Sequence, residues 1–301
     1  MNPARLRAYL MLLVVAVIWG IASPVIKYTL GGFDPLTFLT YRFGISSIIS
    51  IVIFLIIGFK LPNNLKDTTL LIIYGLLASS ISLALLFFGL KNTTVLDSSL
   101  ITLSDPLIIS IAGVYFLKER ISKRERIGIS IAIIGTLLTI VEPLIQNGNG
   151  HLRFSGNLMI IAYAIIVAGT AVLGKILLRR GVPASTMTAL SFILGFISLL
   201  PFWFNSGTSL NTMYNTPYTF HLGVFYMAVI SGSLAFYLSN RAQKSIEIGE
   251  QAIFGYMYPI FAAPLAVLWL GEKITPMFII GAVIITIGVA VAEIKKKRYN
   301  I

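Results

Sequence analysis

"DPLIISIAGVYFLKER", residues 105–120, opens on an acid and a proline, runs apolar from Leu107 to Leu117 and stops on Lys118, Glu119 and Arg120. Joined to the residues that precede it from Thr94, it is as long as a helix that crosses a bilayer, roughly 20 residues. Its surroundings are built the same way. Of the 301 residues, 57% belong to the hydrophobic class and only 11% are charged, a balance that no water-soluble domain of this size keeps.

Ten such runs follow one another: Ala8 to Leu30, Leu36 to Gly58, Thr68 to Leu90, Thr94 to Leu117, Arg126 to Val141, Gly156 to Leu178, Ala184 to Phe204, Tyr218 to Gln243, Ile248 to Leu270 and Pro276 to Glu293. A transmembrane barrel would instead show short alternating segments of about ten residues. The expectation is an all-α integral membrane protein with ten transmembrane helices. The first span, preceded only by Arg5 and Arg7, is longer than a signal-peptide core and is expected to be retained. With no cysteine in the chain, disulfides and thiolate metal sites are excluded.

The net charge of +12 is distributed by side rather than gathered into a nucleic-acid face. With the N-terminus inside, seventeen basic residues fall in inner segments and three, Lys91, Arg153 and Lys273, in outer ones; Lys27, Arg42 and Lys175 lie within spans. This positive-inside bias places both termini in the cytoplasm, and the expected location is the prokaryotic cytoplasmic membrane.

The opening stretch occurs twice. "YPIFAAPLAVLWLGEKIT", residues 258–275, lies over "DPLIISIAGVYFLKERIS" without a gap, at an offset of 153 that also pairs Glu272 with Glu119, Gly281 with Gly128 and Gly288 with Gly135. An offset of 148 pairs Lys175 with Lys27 and Pro183 with Pro35. Two copies of five spans follow, residues 1–145 and 154–298, joined by "EPLIQNGNGHLRF". Five is odd, so the second copy enters the membrane inverted. Beyond Glu119 stand Lys123, Arg124 and Arg126; the matching positions are Pro276, Met277 and Ile279, as suits opposite sides. Inverted halves around an in-plane pseudo-two-fold axis are transporter geometry.

The paired proline, apolar helix, Glu, basic residue and glycines seven apart resemble the EamA domain of the drug/metabolite transporter superfamily. "WGIASPVIK", residues 19–27, resembles its first helix, and "YRFG", residues 41–44, its second. The resemblance covers nearly the whole chain as two EamA copies. It implies a ten-helix secondary transporter, most often an exporter of amino acids or related metabolites.

Asp105 stands deep in the fourth span, where an ionised carboxylate is costly unless it faces water, a counter-ion or substrate. It is expected to bind a substrate amine or carry a proton; a structural pair with a buried base is the other reading. Lys27 and Arg42 are the candidate counter-ions, and Arg42 can also grip a carboxylate with two parallel bonds. Trp19, Ser23 and Lys27 share one face of the first helix, and Pro24 leaves the Gly20 carbonyl without its intrahelical donor. Pro24, Pro106 and Pro259 are expected to bend helices at a gate. The second half offers Tyr163, Thr170, Tyr237, Asn240, Gln251, Tyr256 and Tyr258 as cavity-lining groups. Asp97 and Glu250, equivalent at the 153 offset, are expected to cap helix starts, and Glu119 and Glu272 to anchor helix ends. The four repeated glycines permit close helix contact, within the chain or at a homodimer interface.

Nothing resembles a P-loop, a metalloprotease helix or a nucleophile elbow, and the two histidines have no partners in sequence, so no cofactor, metal or enzymatic chemistry is expected. A small-molecule carrier in a lipid bilayer remains, driven by a gradient. A channel or lipid-translocating protein of the same fold is the alternative.

Overall fold

The structure is a computed structural model, which describes residues 3–57, 61–62, 64–118, 123–145, 150–207 and 213–293. Among the described residues ten long helices carry the chain: α1 (Pro3–Thr29), α2 (Pro35–Ile57), α3 (Leu65–Asn92), α4 (Val95–Leu117), α5 (Lys123–Ile145), α6 (Gly150–Arg179), α7 (Ala184–Asn205), α8 (Tyr218–Gln243), α9 (Ile248–Leu268) and α10 (Pro276–Glu293). There is no strand among the described residues. Helices dominate because a bilayer offers backbone N–H and C=O groups no water, so each span must satisfy its own. Nine of the ten are long and apolar enough to cross a membrane; the apolar part of α10, Pro276–Val291, is shorter. The protein is a multi-pass membrane protein.

Side chains such as Leu55, Leu65 and Leu268 stand more than four-fifths exposed on the outer faces, as lipid-facing residues do. Phe38, Phe43, Phe87, Leu90 and Ile160 are fully buried in the largest core, to which every helix from α1 to α9 contributes a buried side chain. Lipid tails are as apolar as these rings, so burial here stabilises mainly through dispersion and shape rather than release of water.

Two of the spans are interrupted. In α4 the helix runs Val95–Thr102, turns, and restarts as Asp105–Leu117 with Pro106 in its first turn. The Ser104 hydroxyl donates to the Ile101 carbonyl at the break, 2.6 Å away. In α9 the helix runs Ile248–Ala252, tightens to a 3₁₀ segment over Ile253–Met257 and relaxes again as Tyr258–Leu268, with Pro259 in the first turn. Pro106 and Pro259 therefore start helical segments, where a missing N–H is harmless, instead of bending continuous helices. Pro24 does lie inside α1. Each of α3 and α8 contains a π-helical stretch, Leu77–Ile81 and Tyr226–Leu234. The turns after α4 and α9 match as well: Lys118 has φ 60° and Gly271 has φ 67°, again 153 positions apart. Glycine takes that conformation without strain, and lysine does not.

The repeated glycines are spent inside the chain. A Cβ added to Gly288 would stand 2.5 Å from the Ala132 nitrogen and 2.7 Å from the Gly128 carbonyl oxygen, and one on Gly135 would meet Ile285 at 2.7 Å. They press α5 onto α10, and so are not free for a homodimer interface. Gly288→Ala should lower the stability of the detergent-solubilised protein by about 1–3 kcal/mol, because backbone atoms cannot swing aside. Gly169→Ala, which meets nothing within 4 Å, should leave the thermal melt unchanged or raise it.

Candidate functional site

A cavity of about 210 Å³ opens where both interrupted helices and both π-helical stretches come together. Seven helices line it, α1, α2, α3, α4, α6, α8 and α9, while α5, α7 and α10 contribute nothing. π turns and broken helices free backbone groups and recur where proteins bind ligands. The sequence nominees Trp19, Ser23, Arg42, Asp105, Tyr163, Thr170, Asn240, Gln251 and Tyr258 all face this space.

Arg42 is 1% exposed, yet none of its three guanidinium nitrogens has a hydrogen-bond partner among the described residues. The rings of Phe43 and Phe87 flank it at 5.4 and 5.6 Å, and Gly232 makes room for it, since a Cβ there would lie 3.2 Å from Nη2. Cation–π contact repays part of the cost of burying the charge but satisfies no N–H. Asp105, at the restart of α4, is buried with Oδ1 unpartnered among the described residues, and Tyr163 and Tyr258 line the same cavity. No ion pair joins Arg42 to Asp105 among the described residues, so the expected counter-ion role of Arg42 is not seen.

The rest of the wall is held by its own bonds. Trp19 donates from Nε1 to the Ser231 carbonyl at 3.1 Å and meets Phe236 and Tyr258 edge-on. Asn240 accepts from Tyr74 at 3.0 Å and donates to Thr188 at 2.9 Å. Gln251 donates to Ser239 at 2.8 Å and leaves Oε1 unpartnered; Gln243 donates to the Ala171 carbonyl at 3.0 Å. Tyr74, Ser239 and Gln243 line the cavity but did not stand out in the sequence, where an uncharged polar residue inside a span gives no signal of the face it occupies.

Three nominees lie elsewhere. Lys27 points its ammonium at the end of α3, donating to the carbonyls of Leu90 at 2.7 Å, Lys91 at 3.4 Å and Thr93 at 2.6 Å. Lys175 does the same for α8, donating to the carbonyls of Gln243 at 2.8 Å and of Ile246. Both lysines close helix C-termini, where carbonyls lack donors. Tyr237 accepts from its neighbour Arg241 at 2.7 Å, and Tyr256 packs beside Leu107 and Ala132. Pro106 sits behind the wall, against Gly255.

The acids expected as caps are also engaged differently. Asp97, in the first turn of α4, takes two bonds of 2.7 Å from Arg153 of α6 and one of 3.2 Å from Asn157. Arg153 also lies 3.8 Å from Glu142, which accepts from Thr275 at 2.6 Å. Glu250, in the first turn of α9, takes bonds of 2.6 and 2.8 Å from Arg5 of α1 and a third from Tyr9. Glu272 is no mere anchor: it accepts the N–H groups of Val95 and Leu96, at 2.8 and 2.9 Å, that open α4. Burial pushes its carboxyl above the ordinary carboxylate range, and those two donors pull it back. Its counterpart Glu119 lies outside the described residues.

Known proteins resemble the chain end to end. The Bacillus subtilis (strain 168) "Uncharacterized transporter YyaM" is 28% identical over 98% of this chain and 97% of its own. The "Probable amino-acid metabolite efflux pump" of Salmonella typhimurium (strain LT2) is 28% identical over 95% and 94%, and that of Escherichia coli (strain K12) 26% identical over 92% and 91%. A solved crystal structure superposes with a TM-score of 0.69 across 95% of this chain and 98% of that one at 19% identity, a likeness of fold. The EamA-like transporter family matches residues 6–141 and again residues 154–293. With both stretches matched, the chain belongs to the EamA-like transporter family.

Proposed function

We propose that this protein is a secondary active carrier that exports amino acids or similar small metabolites by alternating access, from a central cavity between two inverted five-helix halves. On this reading the halves are residues 1–145 and 154–298, and both termini face the cytoplasm of a prokaryotic cell. The observation that carries the substrate class is Arg42: a buried fork of donors, aimed at a cavity and left without an acceptor, suits a solute carboxylate. Asp105, on the same cavity wall as Tyr163 and Tyr258, is the acceptor for the amine. The printed names of the Salmonella and Escherichia coli relatives support amino-acid metabolites as the class.

What supports the two-fold arrangement is repetition of detail at fixed offsets. The breaks before Pro106 and Pro259, the turns at Lys118 and Gly271, and the lysine clasps of Lys27 and Lys175 all recur. Even the clasped carbonyls correspond, since Leu90 and Thr93 become Gln243 and Ile246 on adding 153.

A panel of free amino acids, their methyl esters and their N-acetyl derivatives tests the site by melting-temperature shift, because a ligand of the folded state raises it. A free amino acid should raise it, and both blocked forms should fail. Equal response to the ester would remove Arg42 from the site. Saturable counterflow of the same solute in liposomes separates a carrier from a channel, and lipid movement without solute exchange would overturn the carrier reading.

A further inference from the structure

The arginine clusters of Asp97 and Glu250 are one device built twice. Arg5 and Arg153 are 148 positions apart, Tyr9 and Asn157 are 148 apart, and Asp97 and Glu250 are 153 apart, the same two offsets that align the halves. In each cluster an arginine from the first turn of one half's leading helix, α1 or α6, grips with two bonds a carboxylate that opens the other half's fourth helix. One turn further along, Tyr9 or Asn157 donates to that same carboxylate. Exchange of the two halves turns one cluster into the other.

The two clusters belong to opposite faces. Successive crossings begin on alternate sides, so α1 and α9, both odd-numbered, start on one face, and α4 and α6 start on the other. Each cluster therefore ties a helix of one half to a helix of the other at one face, and helices of both halves line the cavity. The clusters are not equally shut. The Asp97 side chain is 0% exposed and Arg153 is 20%, against 12% for Glu250 and 47% for Arg5. The Asp97 face also carries Glu142, Thr275 and Glu272.

We propose that Arg153–Asp97 and Arg5–Glu250 are the paired latches of the two mouths, that both are closed in the state described, with the Asp97 latch the more deeply buried, and that solute passes when one of them opens. This rests on the alternating-access reading. Opening one latch lets α4 and α6 part, or α1 and α9 part, and admits solvent to the cavity from that side. A bistable pair of interfaces converts a small local change into a whole-molecule one.

The chain has no cysteine, so one reporter can be read cleanly. Ala78→Cys, on the cavity wall in α3, is labelled with a membrane-impermeant thiol reagent from either side, in right-side-out and inside-out vesicles. Arg153→Gln should speed labelling from the Asp97 face by at least about fivefold and slow it from the other; Arg5→Gln should do the reverse, by a smaller factor. The charge exchange Arg153→Asp with Asp97→Arg should return both rates toward the parent. Size-exclusion profile and melting temperature show that each variant is folded, and a variant that fails to fold is replaced by Asn157→Ala or Tyr9→Phe, which weaken the same latch. Changes in the same direction from both faces, or none in folded variants, overturn the latches. Failure of the carrier reading looks different. The mirror-image response would survive, but no amino acid would protect the cysteine or exchange across liposomes.

Discussion

Arg42→Met should weaken amino-acid binding about 100-fold while leaving the melting temperature of the unliganded protein unchanged or higher. The expectation follows from what the guanidinium lacks. With all three nitrogens unpartnered among the described residues and 1% exposure, it has from them the flanking rings of Phe43 and Phe87. A buried charge left in that state lowers stability, and replacing it with an apolar side chain of like length is commonly neutral or stabilising. A carboxylate that supplies the missing acceptors makes charge-assisted bonds worth about 1.5–3 kcal/mol each, of which one or two vanish with the methionine. Arg42→Lys should recover little, because an ammonium is a point charge without the planar fork. Titration of the solute by melting-temperature shift gives both numbers in one experiment. A variant that melts several degrees lower, with affinity kept, would make Arg42 a structural residue.

Asp97→Ala should reduce stability by about 3 kcal/mol, and Glu250→Ala should cost far less. Breaking a buried ion pair by removing one partner is expensive because the other charge stays behind in an apolar place. Asp97 is 0% exposed and takes both 2.7 Å bonds of Arg153, which lose their acceptor together, whereas Asn157 keeps the Thr139 carbonyl and Thr93 keeps Asn157. The lower end of the usual range applies, since Arg153 is one-fifth exposed and keeps Glu142 at 3.8 Å. Glu250 pairs with an arginine that is nearly half exposed, where water takes over the lost contact. Thermal and denaturant unfolding in detergent measure the difference, and equal losses from the two substitutions would contradict the asymmetry between the faces.

Much of this was legible in the residues, for a physical reason. A bilayer allows so few backbone solutions that long apolar runs state the fold directly, and all ten runs are helices. The interruptions were harder to see, because hydropathy does not register a turn: Leu103 and Ser104 look like more of the same span. Charges within spans drew attention to Arg42 and Asp105, which do face the cavity, but also to Lys27, whose three acceptors lie on another helix that sequence spacing does not bring near. Asp97 shows the same limit. Its position in a first turn suggested a cap, while its partner stands 56 residues away, and no local pattern points there.

The two charged groups of the cavity have no echo in the second half. At the offsets that align the halves, Asp105 meets Tyr258 and Arg42 meets Leu190, whereas the lysine clasps and arginine grips meet their own kind. On the proposed repeat, the charged contacts to the solute belong to one half, the uncharged wall and the movement to both. Such a chain can change the charge it selects through substitutions in α2 and α4, leaving its moving parts untouched. Its mechanical residues enjoy no such liberty, because each must suit a partner inherited with the opposite copy.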